Sequence, residues 1–305
     1  WINDNSIRHF VVTFTPTVSP YVGPHSGVRL YHLDLTGNVS SPSPVHPVVV
    51  EDTVEKVAIS NGVMQIDIFK DPWQIVTPSG SLLATLIDRH GAAVDSFDRQ
   101  DIQLAIEKSG PVETVVKLWS PTLYLGNGEV RHGWALRLYA YANLKTVKVD
   151  FQLQNSAINQ PLSAPLYFEG MALSVNTDRP SEPASIKAFE LQNDVYSKPM
   201  GALGNDAATV YIRHFWQTWP NGVSLKDNGE LTAELWPTWS QQFNGNSYSD
   251  LPMYWLDDMR HSIKEVYFDF ESITASERQQ RAATYQFPPV ASLPLSRYRQ
   301  TAATF

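Results

Sequence analysis

Along residues 145–155 the apolar Val147, Val149, Phe151 and Leu153 alternate with Lys148, Asp150, Gln152 and Gln154. Successive side chains of a strand point to opposite faces, so this period of two describes a strand with one face in a core and one in water. The pattern returns at 63–69, 130–142 and 262–270, the last with Ile263, Val266, Phe268 and Phe270 and one break in register. Such strands must pair with others to satisfy their backbones.

The turn chemistry agrees. Asn-Gly supplies the positive-φ residues of tight hairpins, and it stands between strand-like runs at Asn61-Gly62, Asn127-Gly128, Asn221-Gly222 and Asn228-Gly229. A fifth copy, Asn244-Gly245, lies in a polar stretch and reads as loop. The expected fold is therefore all-β, a mainly antiparallel β-barrel or β-sandwich. One short, exposed helix is expected near the C-terminus at 275–284, where Thr274 and Glu277 have capping-box spacing.

At 305 residues the chain suits two β domains or one large sandwich. Hydrophobic residues make up 43% and charged residues 18%, outside the regime of disordered chains. No window approaches the roughly 20 apolar residues of a membrane helix, so a soluble chain is expected with no membrane partner. A formal charge of −8 argues against nucleic acid, which needs a basic stripe, and means an acidic polymer would need a locally basic cleft. Without cysteine there is no disulfide, thiolate catalyst or Cys-bound zinc. The first residue is Trp1, which leaves room for a removed export signal. A Pro- and Ser-rich stretch at 40–47, overlapped by a glycosylation sequon at Asn38, reads as a loop or hinge.

Two features are chemically unusual. Five of the nine tryptophans, Trp216, Trp219, Trp236, Trp239 and Trp255, fall within 213–260 beside Tyr248 and Tyr254. A flat indole covers the C–H face of a sugar ring while polar neighbours bond its hydroxyls, so this run reads as a sugar-binding face. The competing reading fills a sandwich core with the same rings. Trp239, in the polar stretch 236–250, is the first choice for stacking.

Arg-His dipeptides are the second feature, at Arg8-His9, Arg89-His90, Arg131-His132, Arg213-His214 and Arg260-His261. With 13 Arg and 8 His, chance expects only about 0.3. In a strand the two members of a pair face opposite ways, so one of each is read as structural. Arg213 suits recognition of a carboxylate, against the alternatives of a salt bridge for Arg213 and a satisfied core imidazole for His214. Asp257-Asp258 offers carboxylates for glycosidic acid/base work or Ca²⁺, though adjacent aspartates are more often solvated loop charge. No nucleophile elbow, Walker loop, dinucleotide fingerprint or H-E-x-x-H motif occurs.

Ordered blocks of the chain resemble the exo-rhamnogalacturonan lyase-like family. They are WINDNSIRHFVVTF from Trp1, VAISNGVMQIDI from Val57, EKSGPVETVVKL from Glu107, the segment 136–155, RHFWQTWP from Arg213, and GELTAELWP from Gly229. The resemblance implies a partial RIFT-type β-barrel region over 1–60, a β-sandwich over 61–285, and an extended tail over 286–305. In the family that tail leads to a carboxy-terminal helical domain, and the resemblance carries the expectation of a chain without it.

It also implies a secreted or extracellular protein that cleaves a rhamnose-containing acidic polysaccharide by β-elimination at a uronic acid. A cation must neutralise the uronate, a base must take the C5 proton, and an acid must protonate the leaving oxygen. Arg213 is the expected cation, and His214, Lys117 and Tyr254 are the candidates for base and acid. A lysine or tyrosine in that role needs a pKa lowered by a neighbour such as Arg213 or Arg131. Arg131 and Arg260 join the five tryptophans as substrate-binding candidates, with no cofactor expected beyond an optional Ca²⁺. The alternative is a non-catalytic extracellular protein that binds glycans or self-associates into a surface structure.

Overall fold

The computed structural model describes residues 44–124, 130–156, 165–188, 191–192, 195–196, 199–243 and 253–287. Strands appear first as β1 (Val49–Asp52), β2 (Lys56–Ser60), β3 (Gln65–Lys70), β4 (Trp73–Thr77), β5 (Gly80–Asp88), β6 (Ala93–Asp95) and β7 (Gln103–Lys108). Then come β8 (Glu113–Ser120), β9 (Leu123–Tyr124), β10 (Val130–Arg131), β11 (Gly133–Tyr141), β12 (Thr146–Asn155), β13 (Leu166–Asn176), β14 (Ala184–Lys187), β15 (Leu191–Gln192) and β16 (Val195–Tyr196). The last are β17 (Ala202–Gly204), β18 (Thr209–Ile212), β19 (Gly222–Leu225), β20 (Glu230–Trp236), β21 (Tyr254–Leu256) and β22 (Arg260–Asp269), followed by helix α1 (Ala275–Gln286).

Eighteen of these strands form two open sheets, and β9–β10 and β15–β16 form two separate two-stranded ribbons; their pairings are antiparallel. The larger runs β1-β2-β3-β4-β5-β13-β20-β19-β14, with β6 added to β5 and β21 to β13; the smaller runs β17-β18-β22-β12-β11-β8-β7. One buried cluster joins both, with Ile66, Ile68, Leu173 and Val175 from the larger sheet meeting Leu136, Val149, Phe151 and Val266 from the smaller. The fold is an all-β sandwich. No closed barrel occurs among the described residues.

The alternation in β12 explains its place in the middle of the smaller sheet. Val147, Val149, Phe151 and Leu153 are each at most 2% exposed, and full burial of such a side chain contributes about 1.5–3 kcal/mol. Their polar neighbours form the outer face. The run 130–142 divides at His132 into β10, which pairs with β9, and β11, which lies beside β12. Strands β1 and β2 continue directly into β3, so no break in hydrogen bonding falls at the expected boundary near residue 60.

Asn61-Gly62 turns β2 into β3 and Asn228-Gly229 turns β19 into β20, with φ of 76° at Gly62 and 86° at Gly229. Asn221-Gly222 is not a hairpin turn. Asn221 is buried and its Nδ2 donates to the carbonyls of Phe215 (2.7 Å) and Thr218 (3.0 Å), stapling the loop before β19. The helix has the expected capping box, with Glu277 N donating to Thr274 Oγ1 at 3.2 Å and Thr274 N to Glu277 Oε2 at 2.8 Å. One face of it is docked rather than exposed. Arg281 reaches the buried Asp269 at 2.5 Å, and Tyr285 stacks on Tyr267 with centroids 4.1 Å apart.

The opening block through residue 43, Asn127-Gly128, Asn244-Gly245, Tyr248, and the tail beyond Phe287 lie outside the described residues. Among the described residues no helix is long and apolar enough to cross a membrane.

Candidate functional site

The tryptophan-rich run does not form one aromatic face. A bulge between β13 and β20 sets Met171 opposite Trp236 and Ala172 opposite Glu234, which turns Trp236 inward. There it packs edge-on to Phe168 at 5.9 Å, and Lys264 Nζ sits over its ring at 5.3 Å. Trp219 packs against the main core and Trp216 is half-buried. Trp239, expected to be the stacking ring, is half-buried; its Nε1 donates to Glu234 Oε2 at 2.7 Å and Lys187 lies 5.0 Å over its face. Only Trp255 is open, at 42% exposure.

The expected catalytic group is also dispersed. Lys117, Arg137, Asp150 and Glu265 form one cross-strand row on the outer face of the smaller sheet, and Arg213 joins through its N–H to the Glu265 carbonyl. Four strand spacings of about 4.8 Å put Lys117 roughly 19 Å from Arg213. Lys117 instead stands over Trp119 at 4.6 Å with Glu107 at 3.9 Å.

Arg213 Nη1 donates to both oxygens of Glu265, at 3.0 and 3.2 Å, which is the salt-bridge alternative realised. Burial would push the Glu265 carboxyl up, but the Tyr267 hydroxyl, Lys148 and Arg213 outweigh it and hold the group below its usual range. A shallow pocket of about 200 Å³ lies here among Asp150, Arg213, His214, Thr218, Ile263, Lys264 and Glu265. His214 is exposed rather than a core imidazole. The two carboxylates of this pocket are already engaged, Glu265 by Arg213 and Lys148 and Asp150 by Lys148.

Tyr254 points into the core, where its hydroxyl donates to the Pro237 carbonyl at 2.8 Å and meets Ser240 Oγ. Burial pushes its pKa up to about 12, the opposite of what an acid/base role needs. Lys264 is the lysine with a lowered pKa. Burial takes it down to about 8, and its Nζ donates to Thr218 O at 2.5 Å and Asn221 Oδ1 at 2.9 Å. An inward-pointing lysine breaks the β22 alternation at that position, and that break is the sequence signal for it.

A second pocket, of about 250 Å³, gathers what the sequence kept apart. Its lining includes Asp88, Arg89, His90, Val130, Arg131, His132, Leu166 and Tyr167, so two Arg-His dipeptides converge on it. Arg89-His90 forms the tip of the β5–β6 hairpin, closed by Gly91 at φ 77° and by Asp88 Oδ1, which accepts from His90 N at 2.8 Å and Ala92 N at 2.9 Å. Arg89 Nε meets His90 Nε2 at 3.2 Å.

Arg131 and His132 divide their roles as opposite-facing neighbours should. Arg131 is exposed, and its guanidinium makes no ion pair among the described residues. His132 is 2% exposed, with Nε2 3.0 Å from Ser96 Oγ; burial and then the charges of Arg99 and Arg131 push it down to about 3. Arg99 fixes the strand behind the pocket, donating to the carbonyls of His132 and Pro121 at 2.7 Å each while pairing with Asp101 at 2.6 Å.

Arg89, Arg131 and Asp88 are the charged groups of this pocket's lining, and the Glu169 carboxylate lies close to Gly91 at the same hairpin tip. Trp255 is the strand neighbour of one lining residue, Tyr167. It lies directly opposite Tyr167 across the β13–β21 pairing, which puts both side chains on one face of the sheet. Arg260 and His261 begin β22 just past the turn and are exposed. Asp257 and Asp258 occupy that turn, and no group of three or more His, Asp or Glu able to hold a metal ion is assembled among the described residues.

No protein-family model matches the sequence, and no curated protein does. Solved structures similar to the chain include an α-mannosidase from Enterococcus faecalis V583, with a TM-score of 0.38 and 7% identity over 80% of this chain and 32% of that one. A Klebsiella pneumoniae protein assigned as an aldose 1-epimerase gives 0.47 and 7% over 79% and 86%. A family 38 glycosyl hydrolase protein from Enterococcus faecalis gives 0.33 and 8% over 80% and 33%. The chain thus spans about a third of the length of the mannosidase. With every score below 0.5, no chemistry is carried over from these likenesses.

Proposed function

We propose that this chain binds an acidic polysaccharide, with the carboxylate of one sugar in the pocket of Arg89 and Arg131 and a neighbouring ring stacked on Trp255. The observation that carries the reading is the convergence of Arg89-His90 and Arg131-His132 on one pocket beside the one open tryptophan of the 213–260 run. A chain of charge −8 needs such a basic enclave to approach a polyanion. Arginine's planar fork matches a carboxylate, and an exposed indole matches the C–H face of a pyranose.

Affinity electrophoresis through gels holding polygalacturonate, alginate or a neutral glucan tests this. The expected result is retardation in the uronate gels alone, weakened by added salt and lost in Arg131→Ala and Trp255→Ala with the melting temperature of each unchanged. Equal migration in all three gels would overturn it.

A second, finer reading has the chain also cleave its ligand by β-elimination, and it requires the Arg89 Nε–H, which donates to His90 Nε2 at 3.2 Å, to leave that nitrogen as the guanidinium turns to the uronate. A guanidinium on the uronate acidifies the C5–H, the His90 imidazole takes that proton, the C4–O bond breaks as the C4–C5 double bond forms, and a donor such as the Tyr167 hydroxyl protonates the leaving oxygen. This assigns the chemistry to residues other than Arg213, His214, Lys117 and Tyr254. The unsaturated product absorbs near the ultraviolet edge. Wild type that binds polygalacturonate without any rise in that absorbance is a binding protein only.

A further inference from the structure

The β9–β10 ribbon that carries Arg131 belongs to neither main sheet, so sheet register alone does not set where Arg131 stands relative to Arg89. The chain that leaves the β5–β6 hairpin, with Arg89 at its tip, reaches that ribbon at His132, which lines the pocket. Ser96 is tied to β5 by its N–H, which donates to the Ala84 carbonyl at 2.8 Å, and its Oγ lies 3.0 Å from His132 Nε2. Arg99 Nη1 donates to the His132 carbonyl at 2.7 Å, so the ring and the backbone of His132 are both held from the hairpin's side. Arg99 Nη2 donates to the carbonyl of Pro121, just before β9, at 2.7 Å. Nε and Nη2 donate to the Asp101 carboxylate at 2.8 and 2.6 Å, and Ser120 Oγ donates to the same group at 2.7 Å. Arg99 is 7% exposed, and a guanidinium so buried is sustained only where its donors are matched. Its fork matches two carbonyls and a carboxylate at once, which an ammonium cannot do.

We propose that Arg99 is a positioning residue of the glycan pocket, holding Arg131 at the distance from Arg89 at which one uronate carboxylate meets both guanidiniums; the inference rests on the binding reading above. Arg99 is not part of the pocket's lining, so it acts on the ligand through His132 and the adjacent Arg131. A carboxylate held by two guanidiniums depends on their geometry as well as their charge, and displacing one leaves the ligand on the other alone. Ser96 supports the same residue from its ring side.

The test measures retardation of the whole chain in polygalacturonate gels for wild type, Arg99→Lys, Ser96→Ala and Arg99→Ala, with a melting curve for each. Arg99→Ala is also run with a few millimolar guanidinium chloride against equimolar sodium chloride. Arg99→Lys keeps the charge without the fork and should lose about tenfold in retention, and Ser96→Ala about threefold, the scale of residues that act without touching the ligand. Guanidinium, which fits the space the side chain leaves, should restore about half of the retention lost in Arg99→Ala, and sodium none. A loss of fold stability alone predicts the reverse, because guanidinium weakens folds. The inference is overturned if Arg99→Lys migrates as wild type does, or if the two salts act alike on a folded Arg99→Ala. Where Arg99→Ala does not fold, Arg99→Lys and Ser96→Ala decide: folded variants that lose retention support the inference, and wild-type mobility in both overturns it. Wild type that is not retarded at all removes the binding reading, and the positioning role with it.

Discussion

Arg213 and Arg131 each precede a histidine and each line a pocket, yet Glu265 neutralises the first and no described carboxylate meets the second. Position explains the difference. Arg213 follows β18 beside β22, whose outer face carries Glu265 in one row with Asp150 of β12, so its charge closes a ladder. Arg131 sits on the two-residue ribbon β9–β10, away from that ladder, with only Leu123 opposite. Equal dipeptides therefore differ in what they leave for a ligand. A cation recognises an anion to the extent that the fold has not already paired it.

The largest effect expected to sharpen this contrast comes from the buried member of the Arg131 pair. His132 is neutral in the fold, with its pKa taken from 6.5 to about 3, while in the unfolded chain it gains a proton below 6.5. Its contribution is complete above pH 6.5 and is lost as pH falls toward 3, by roughly 4 kcal/mol at about 1.4 kcal/mol per pH unit. Urea unfolding at pH 7 and pH 4 should show this slope in wild type and a flatter one in His132→Asn. Parallel slopes would mean that the imidazole is protonated or solvated where it sits, and that the Arg131 rim is not held as described.

Next in size is the contrast between two tryptophans of one run. Trp236→Ala removes a ring packed on Phe168 and leaves Lys264 Nζ without its aromatic neighbour, for a loss of about 3 kcal/mol. Trp255→Ala should stay within about 0.5 kcal/mol, the range of exposed positions. Thermal unfolding of both variants checks the pair. A comparable loss in Trp255→Ala would place its indole in the core and withdraw it as a sugar platform.

The sandwich was legible because alternation and Asn-Gly turns are local signals, and β12, the hairpins at Gly62 and Gly229, and the capping box at Thr274 are read from a few neighbouring residues. The site was not. Trp236 is placed by a bulge that shifts one residue, and no periodicity reveals a bulge in a single sequence. Arg89 and Arg131 stand 42 positions apart and meet only through the packing of the strands between them, so their shared pocket was visible only as an unexplained excess of Arg-His pairs. Asn221-Gly222 misled because a side chain that staples a loop has the same sequence as one that turns a hairpin.

The smallest expected effect is the one that decides between the two arginines. Arg213→Ala breaks a half-exposed pair whose carboxylate keeps Lys148 and Tyr267, so it should cost about 1 kcal/mol and leave glycan retardation unchanged. Arg131→Ala removes a group with no ion pair among the described residues and should change stability by less than about 0.5 kcal/mol while abolishing retardation. Paired measurements of urea midpoint and gel mobility put the two variants on opposite axes. If Arg213→Ala abolishes retardation and Arg131→Ala does not, the anion enters the paired site by displacing Glu265, and the rule that only an unpaired cation is available fails for this fold.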